Sequence, residues 1–198
     1  MLIVGLTGGI ASGKSFVVKY LKKLKIPSYD SDKTIDFLYK KPSNVFLKYL
    51  EKNNLGRAVI KDKIDKNLIK KDIFNNSDKR KKLEFFLHKY SSQERKKFVK
   101  KNTNQKIIFL DIPLLFEKKL QKECDFVCST VASLRVREKR ALQRRGMSKK
   151  LFKLIVKTQV KNRERKIKSN FIINTEGTRK KTCLQVDNII YCVLSKKA

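Results

Sequence analysis

The N-terminal segment constrains the fold of this chain more than any other stretch. An apolar run from Leu2 leads into Gly8, and after four intervening residues Gly13-Lys14-Ser15 completes the pattern of a phosphate-binding P-loop. Apolar residues then recur at helical spacing, with lysines between them. Because a P-loop lies between a buried strand and a helix, this order favours it over the alternative, a glycine-rich turn that binds no ligand.

The residue types of this loop suit the binding of a polyphosphate. Glycines let backbone N–H groups turn toward an anion, and the N-terminus of the following helix adds a partial positive charge. Lys14 can supply a charge to the β- and γ-phosphates, and the Ser15 hydroxyl is a typical oxygen ligand of Mg²⁺. The sequence therefore predicts a phosphate ligand with an associated magnesium ion.

The composition argues against several classes of protein. The 198 residues, 40% of them hydrophobic, can form one domain with a sizeable core. There is neither an apolar run long enough to span a membrane nor a leader pattern, which predicts a soluble cytoplasmic protein. The four cysteines lack zinc-finger spacing and His88 is the single histidine, so we expect buried free thiols rather than a metal cluster or disulfide scaffold.

The net charge of +32 raises the possibility of a nucleic-acid partner. The excess of Lys and Arg is nearly the same in each quarter of the chain, whereas a binding tail or stripe would concentrate it. No aromatic-rich basic stretch of the RNA-binding type accompanies it. We therefore interpret the charge as a chain-wide lysine bias and expect no specific nucleic-acid binding, with a basic nucleic-acid-binding ATPase as the alternative of a different class.

Four further segments are predicted to form the remaining strands of a sheet. They are residues 26–30, 107–111, 126–131 and 171–173, and a helix with Val186, Ile189, Ile190 and Val193 on one face ends the chain. Strands and helices alternate along this sequence. We therefore predict an α/β fold with a five-stranded parallel sheet that helices cover on both faces.

Acidic residues stand at the ends of two of these strands. Asp30 and Asp32 follow the second strand, and Asp111 ends the third. Ligands of open α/β sheets bind beyond the carboxyl ends of the strands, so Asp30 and Asp32 are predicted to lie beside the P-loop. Asp111 is placed to hold a water of the magnesium ion. The alternative role for Asp30 is to cap the next helix.

Two segments between the strands are predicted to be helical. Residues 33–102 have apolar residues at helical spacing and form an inserted region that could provide the second wall of a cleft. Residues 135–168 hold fifteen Lys or Arg against two Glu, and Arg137, Arg140 and Arg144 recur at helical spacing. Because the arginine fork suits phosphate, we predict a mobile lid here. The alternative, the general lysine bias, explains the lysines better than the arginine row.

Taken together, these segments resemble the dephospho-CoA kinase family. The resemblance spans nearly the whole chain and rests on residues 6–15, 30–32, 111–117 and 140–144, with Gln159 and Asn174. It implies a P-loop kinase fold and ATP- and Mg²⁺-dependent phosphorylation of the ribose 3′-hydroxyl of dephospho-CoA, the last step of coenzyme A synthesis. Another P-loop small-molecule or nucleoside monophosphate kinase is the alternative within enzymes.

The resemblance also implies a division of the chain and a set of site residues. Residues 1–198 would form one kinase domain, with a nucleotide core (1–32, 103–134 and 169–198), a helical CoA-binding region (33–102) and a lid (135–168). The implied catalytic residues are Asp32 as base, Lys14 and Arg140, and the implied metal residues are Ser15 and Asp111. The implied ATP-binding residues are Gly9, Ile10, Ala11, Ser12, Gly13, Lys14, Ser15, Phe16, Arg140, Arg144 and Asn174. The implied substrate-binding residues are Thr7, Asp30, Asp32, His88, Leu114, Leu115 and Glu117.

Overall fold

A computed structural model describes residues 1–61, 63–74 and 76–195. The chain forms two compact units, one made of the residues up to Tyr29 and from Val99 onward, the other of Asp30–Phe98. The second unit covers most of residues 33–102, the region predicted from the sequence to be an insertion. No helix among the described residues is long and apolar enough to cross a membrane.

The helices and strands follow one another along both units. In chain order they are β1 (Leu2–Gly8), α1 (Lys14–Lys23), β2 (Ser28–Asp30), α2 (Ser31–Lys40), α3 (Asn44–Lys52), β3 (Val59–Ile60), β4 (Lys63–Ile64), α4 (Lys66–Phe74), α5 (Ser77–Lys101), β5 (Ile107–Asp111), β6 (Phe126–Val131), α6 (Leu134–Leu142), α7 (Lys149–Thr158), α8 (Asn162–Ile167), β7 (Phe171–Asn174) and α9 (Arg179–Ser195). Two short 3₁₀ helices, Gly56–Ala58 and Leu120–Glu123, lie in the connections.

The predicted five-stranded parallel sheet is confirmed, with the strand order β2-β5-β1-β6-β7. β1 lies at the centre and pairs in parallel with both β5 and β6, so that Leu6 stands between Asp111 and Cys128. This register brings the acidic end of β5 next to the strand that leads into the P-loop.

Alternate side chains of β1 point into the core of the first unit. Val4 and Leu6 join a cluster with Val17 and Leu21 of α1, and Val186, Ile189 and Val193 of α9 belong to the same cluster. Gly5 points the other way, and a Cβ added there would meet Leu115 at 2.7 Å. Because each fully buried aliphatic side chain contributes about 1.5–3 kcal/mol, this packing fixes the strand that positions the P-loop.

Two predictions about regular structure were wrong. Strands and helices do not alternate throughout, because the fully described connection from β5 to β6, residues 112–125, contains only the 3₁₀ helix Leu120–Glu123. The insertion is not helical throughout, because β3 and β4 pair as an antiparallel hairpin. β-Branched residues favour the extended conformation here, and the Asp65 side chain then accepts hydrogen bonds from the first turn of α4.

The prediction of buried thiols holds for one cysteine only. Cys128 is buried in β6, Cys124 and Cys183 are half-buried, and Cys192 is exposed on α9. Burial raises the pKa of the Cys128 thiol to about 12. Composition could not distinguish the buried cysteine from the exposed ones, because exposure depends on which face of a helix or strand each residue occupies.

Candidate active site

The P-loop connects β1 to α1 through two residues with positive φ, a conformation that favours glycine. Ala11 and Gly13 have φ values of 57° and 86°. A Cβ on Gly13 would lie 2.8 Å from Thr175 Oγ1, so glycine is required for space as well as conformation. Gly13 is also the N-cap of α1 and supplies no side-chain oxygen to the first turn. This helix N-terminus can therefore direct N–H groups at an anion.

Lys14 and Asp111 meet at the mouth of this loop. Lys14 Nζ donates to Asp111 Oδ1, and their side chains are only 15% and 6% exposed. Ser15, the next residue of α1, is exposed. The structure thus brings together three residues predicted to hold the phosphates and the metal.

A hydroxyl of the sheet, that of Thr130 in β6, contacts the P-loop. Ser12 Oγ lies 2.7 Å from Thr130 Oγ1, and Thr130 Oγ1 donates to the carbonyl of Thr7 at 3.3 Å. Thr130 stands opposite Gly8 in the register of β1 and β6. A Cβ on Gly8 would come within 2.0 Å of Thr130 Oγ1, so the first glycine of the motif allows this close packing.

The lid region holds the loop through Arg137 and Gln159. Arg137 Nε donates to the Ile10 carbonyl at 2.8 Å, and the Ile10 N–H donates to Gln159 Oε1 at 2.8 Å. Arg137 Nη2 lies 3.4 Å from the same Gln159 oxygen. Burial and the nearby Arg165 lower the pKa of Arg137 from its usual range. Both backbone polar groups of Ile10 are therefore bound by side chains.

Arg140 reaches the loop by way of Thr175. Its Nη1 donates to Thr175 Oγ1 at 3.0 Å and its Nη2 to the Thr175 carbonyl at 2.6 Å. Thr175 Oγ1 in turn donates to the Ser12 carbonyl at 2.7 Å. The predicted lid arginine is thus tied, through one threonine, to the backbone that would surround the phosphates.

Two further residues predicted to bind ATP lie at the surface. Arg144 is exposed beyond the end of α6. Asn174 is exposed at the end of β7, where its Oδ1 accepts from the Glu176 N–H at 3.0 Å. Gln185 of α9 binds both backbone groups of Asn174. Phe16 is half-buried, with the Arg179 guanidinium 6.0 Å from its ring centre.

Thr7, Glu117 and Arg165 form a buried polar cluster. Arg165 is 0% exposed and donates to Thr7 Oγ1 at 3.2 Å and to Glu117 Oε1 at 3.3 Å. Glu117 Oε1 also accepts from the Val160 N–H at 2.8 Å, and Thr7 Oγ1 donates to the Pro113 carbonyl at 3.0 Å. Among the described residues, buried Glu117 Oε2 has no hydrogen-bond partner.

The residues predicted to bind the acceptor therefore differ in their access to solvent. Thr7 and Leu115 are fully buried, Leu114 is exposed and Glu117 is partly exposed. The side chains of Thr7 and Leu115 thus shape the site from within, and Glu117 positions Arg165 and the Val160 backbone, whereas Leu114 is open to solvent.

Three predicted site residues belong to the second unit. Asp30 is the N-cap of α2 and its Oδ1 accepts from the Lys33 N–H at 2.9 Å, so the capping role left open by the sequence is present. Asp32 is exposed in the first turn of α2. His88 is exposed on α5.

Sequence reasoning missed Arg165, Thr130 and Thr175, and recognised Arg137 only as part of a row. Arg137 precedes buried Ala141 by one helical turn, so a search for basic residues on the apolar face of α6 could have found it. No comparable signal separates Arg165 from the other basic residues of the segment, because its partners lie far away in the sequence.

Comparisons with known proteins show which family and fold this chain matches. The family model described as dephospho-CoA kinase matches residues 2–181. The dephospho-CoA kinase of Bartonella quintana is 34% identical over 192 residues, which cover 96% of this chain and 97% of that protein. That of Fusobacterium nucleatum is 35% identical over 184 residues, covering 89% and 91%. A solved dephospho-CoA kinase from Campylobacter jejuni superposes with a TM-score of 0.71 at 23% identity, covering 99% and 98%, and so shares the fold.

Proposed function

The chain belongs to the dephospho-CoA kinase family, and on this basis we propose that it transfers the γ-phosphoryl group of ATP to the ribose 3′-hydroxyl of dephospho-CoA, giving coenzyme A and ADP. The observation that carries the proposal is the P-loop, which ends at a helix N-terminus without a side-chain cap and has Lys14 beside it. The expected compartment is the cytoplasm.

The role of Lys14 follows from its position. Its ammonium is held at the mouth of the loop by Asp111, so it is oriented before any nucleotide arrives. A bound triphosphate offers the ammonium stronger acceptors, and Lys14 then spreads the negative charge between the β- and γ-phosphates. In this exchange of partners Lys14 gives up its ion pair with Asp111.

The oxygen ligands near the loop fit a magnesium ion. Mg²⁺ prefers hard oxygen donors, and the exposed Ser15 hydroxyl and the Asp111 carboxylate are of this type. Ser15 would hold the ion directly and Asp111 through a water molecule. When bound, the ion would neutralise phosphate charge and orient the transferred group.

We assign the proton acceptor to Asp32 rather than Asp30. The Asp30 carboxylate already serves as the N-cap of α2, whereas the Asp32 side chain is exposed on the first turn of that helix. Asp32 also matches the catalytic aspartate that the family resemblance implies. It accepts the proton of the attacking hydroxyl as the phosphoryl group is transferred in line.

Arg140 supplies the second cation. Two of its guanidinium nitrogens bind Thr175, which places the planar group next to the loop backbone. The remaining N–H donors stabilise charge on the transferred phosphoryl group. Exposed Arg144 and Asn174 contact the nucleotide farther from the reacting atoms.

A substrate panel tests the proposal. Purified protein is assayed for ADP release with ATP, Mg²⁺ and one of dephospho-CoA, AMP, CMP, shikimate or gluconate. We expect kcat/KM for dephospho-CoA to exceed that of every other acceptor by at least about 10⁴-fold, the discrimination reached when a site hydrogen-bonds substrate groups that its competitors lack. Preference for another acceptor would refute the proposed substrate, and turnover retained by Lys14→Ala would refute the role of the loop.

A further inference from the structure

The second unit contains a pocket whose lining includes none of the residues assigned to the proposed reaction. It lies between α3 and α5 and has a volume of about 530 Å³. This is within the range of about 300–1,000 Å³ found for small-molecule sites, and like those sites it combines aromatic side chains with a few polar groups.

Most of the lining of this pocket lies on a different face of α5 from the predicted substrate residue His88. Lys82, Phe86 and Lys89, which line it, recur at spacings of three and four residues along the helix. His88 follows the helical repeat of buried Ser91 and Arg95 instead, and at 3.6 residues per turn these two sets point to opposite sides of the helix. Phe85, also in the lining, precedes His88 by three residues and lies at the edge between the two faces.

Aromatic rings form a stack in the pocket wall. The ring centres of Tyr49 and Phe86 are 4.3 Å apart, and Phe86 stacks at 5.1 Å on Phe46, which is fully buried. Phe85 and Val45 stand beside this stack in the lining and are 73% and 69% exposed. The stack is thus followed by exposed apolar side chains, against which a further planar ring can pack.

The polar groups of the pocket are suited to an anion. Lys89 forms no ion pair among the described residues, whereas Lys97 pairs with Glu94 at 2.8 Å. The Tyr49 hydroxyl oxygen is buried and has no hydrogen-bond partner in the described part of the chain. Among the residues described, Lys89 therefore places an unpaired positive charge beside the aromatic stack.

We propose that this pocket binds a planar aromatic ring carrying an anionic group, the class to which nucleotides and aromatic sulfonates belong. The ring stacks against Phe85 and Phe86, and Lys89 attracts the anion. The proposal rests on the pocket alone and does not depend on the identity of the kinase substrate.

Two fluorescent dyes of similar ring structure test the proposal. 8-Anilinonaphthalene-1-sulfonate is anionic, and N-phenyl-1-naphthylamine is the same ring system without the sulfonate. We expect Phe85→Ala to raise the Kd of both dyes about tenfold, since stacking on one aromatic side chain is worth about 1–3 kcal/mol. Lys89→Glu should raise the Kd of the anionic dye by at least about fivefold and leave the neutral dye unchanged, because only the former carries a charge.

Helix α4 of the same unit offers a matched control pair. Lys70 and Phe74 have the same spacing of four residues as Phe85 and Lys89, and Phe74 is 80% exposed. Lys70→Glu and Phe74→Ala should leave both Kd values unchanged. Since all four side chains are exposed, folding should be preserved, which far-UV circular dichroism checks.

Three results would overturn the proposal. The first is an unchanged Kd of the anionic dye in Lys89→Glu, and the second is an equal loss of binding in Phe74→Ala and Phe85→Ala. The third comes from sedimentation velocity: a wild-type dimer that Phe85→Ala converts to a monomer would show that a second copy of the chain covers this face.

Discussion

Replacing Arg165 with methionine should destabilise the protein strongly. The arginine is 0% exposed, and its removal leaves the largely buried Glu117 carboxylate without its cation. Breaking a buried ion pair in this way costs about 3–5 kcal/mol. In a protein of this size each kcal/mol lowers Tm by about 2–4 °C, so we expect a decrease of about 6–20 °C in thermal unfolding followed by circular dichroism.

A double variant tests the physical reason for this loss. Arg165→Met combined with Glu117→Gln removes both charges and keeps an amide oxygen to accept from the Val160 N–H. We expect the double variant to be more stable than Arg165→Met, because no buried charge is left unpaired. Arg163→Met, an exposed position on α8, is the control and should leave Tm nearly unchanged. If the change in Tm of the double variant equals the sum of the changes measured for Arg165→Met alone and Glu117→Gln alone, the proposed coupling is refuted.

Three further predictions concern catalysis and thiol chemistry. Asp32→Asn should lower kcat by about 10²–10⁴-fold with little change in ATP affinity. Asp30→Asn keeps a capping oxygen and should lower kcat much less. Measurements of kcat and ATP Kd for both variants check this, and a larger loss of kcat in Asp30→Asn than in Asp32→Asn would contradict it. Arg140→Lys should lower kcat because a single ammonium cannot bind both oxygens of Thr175, and an unchanged kcat would place Arg140 outside the site. Iodoacetamide at pH 8 should label exposed Cys192 rapidly and Cys128 only after unfolding, because burial raises the pKa of Cys128 to about 12; peptide mass spectrometry reports both rates, and equal labelling would be inconsistent with the buried position.

Local patterns account for the parts of the fold that were predicted correctly. Ile107–Asp111 and Phe126–Val131 were placed with the bounds that the strands have in the structure, because continuous apolar runs mark strands buried on both faces. The P-loop was equally visible, since its glycines, lysine and serine are neighbours in the sequence. The hairpin of β3 and β4 was missed because strands of two residues are too short to show a period.

Contacts between distant residues account for the parts that the sequence left open. Arg137 and Arg165 have the same sequence surroundings as many exposed basic residues of 135–168, yet they are buried. Their partners at Ile10, Thr7 and Glu117 lie far from them along the chain. Similarly, the alternatives for Asp30 could be compared only once its carboxylate was seen to cap α2.

The sequence by itself determined that this chain has a P-loop at the end of a buried strand, a parallel sheet and the dephospho-CoA kinase pattern. These features depend on residue types at short, fixed spacing, where local conformation and hydrophobic periodicity are sufficient. The tertiary structure alone decided the strand order, the pairing of Lys14 with Asp111, and the selection of two arginines for the interior. These depend on which distant segments pack together, and burial then gives otherwise similar charged side chains different partners and energies.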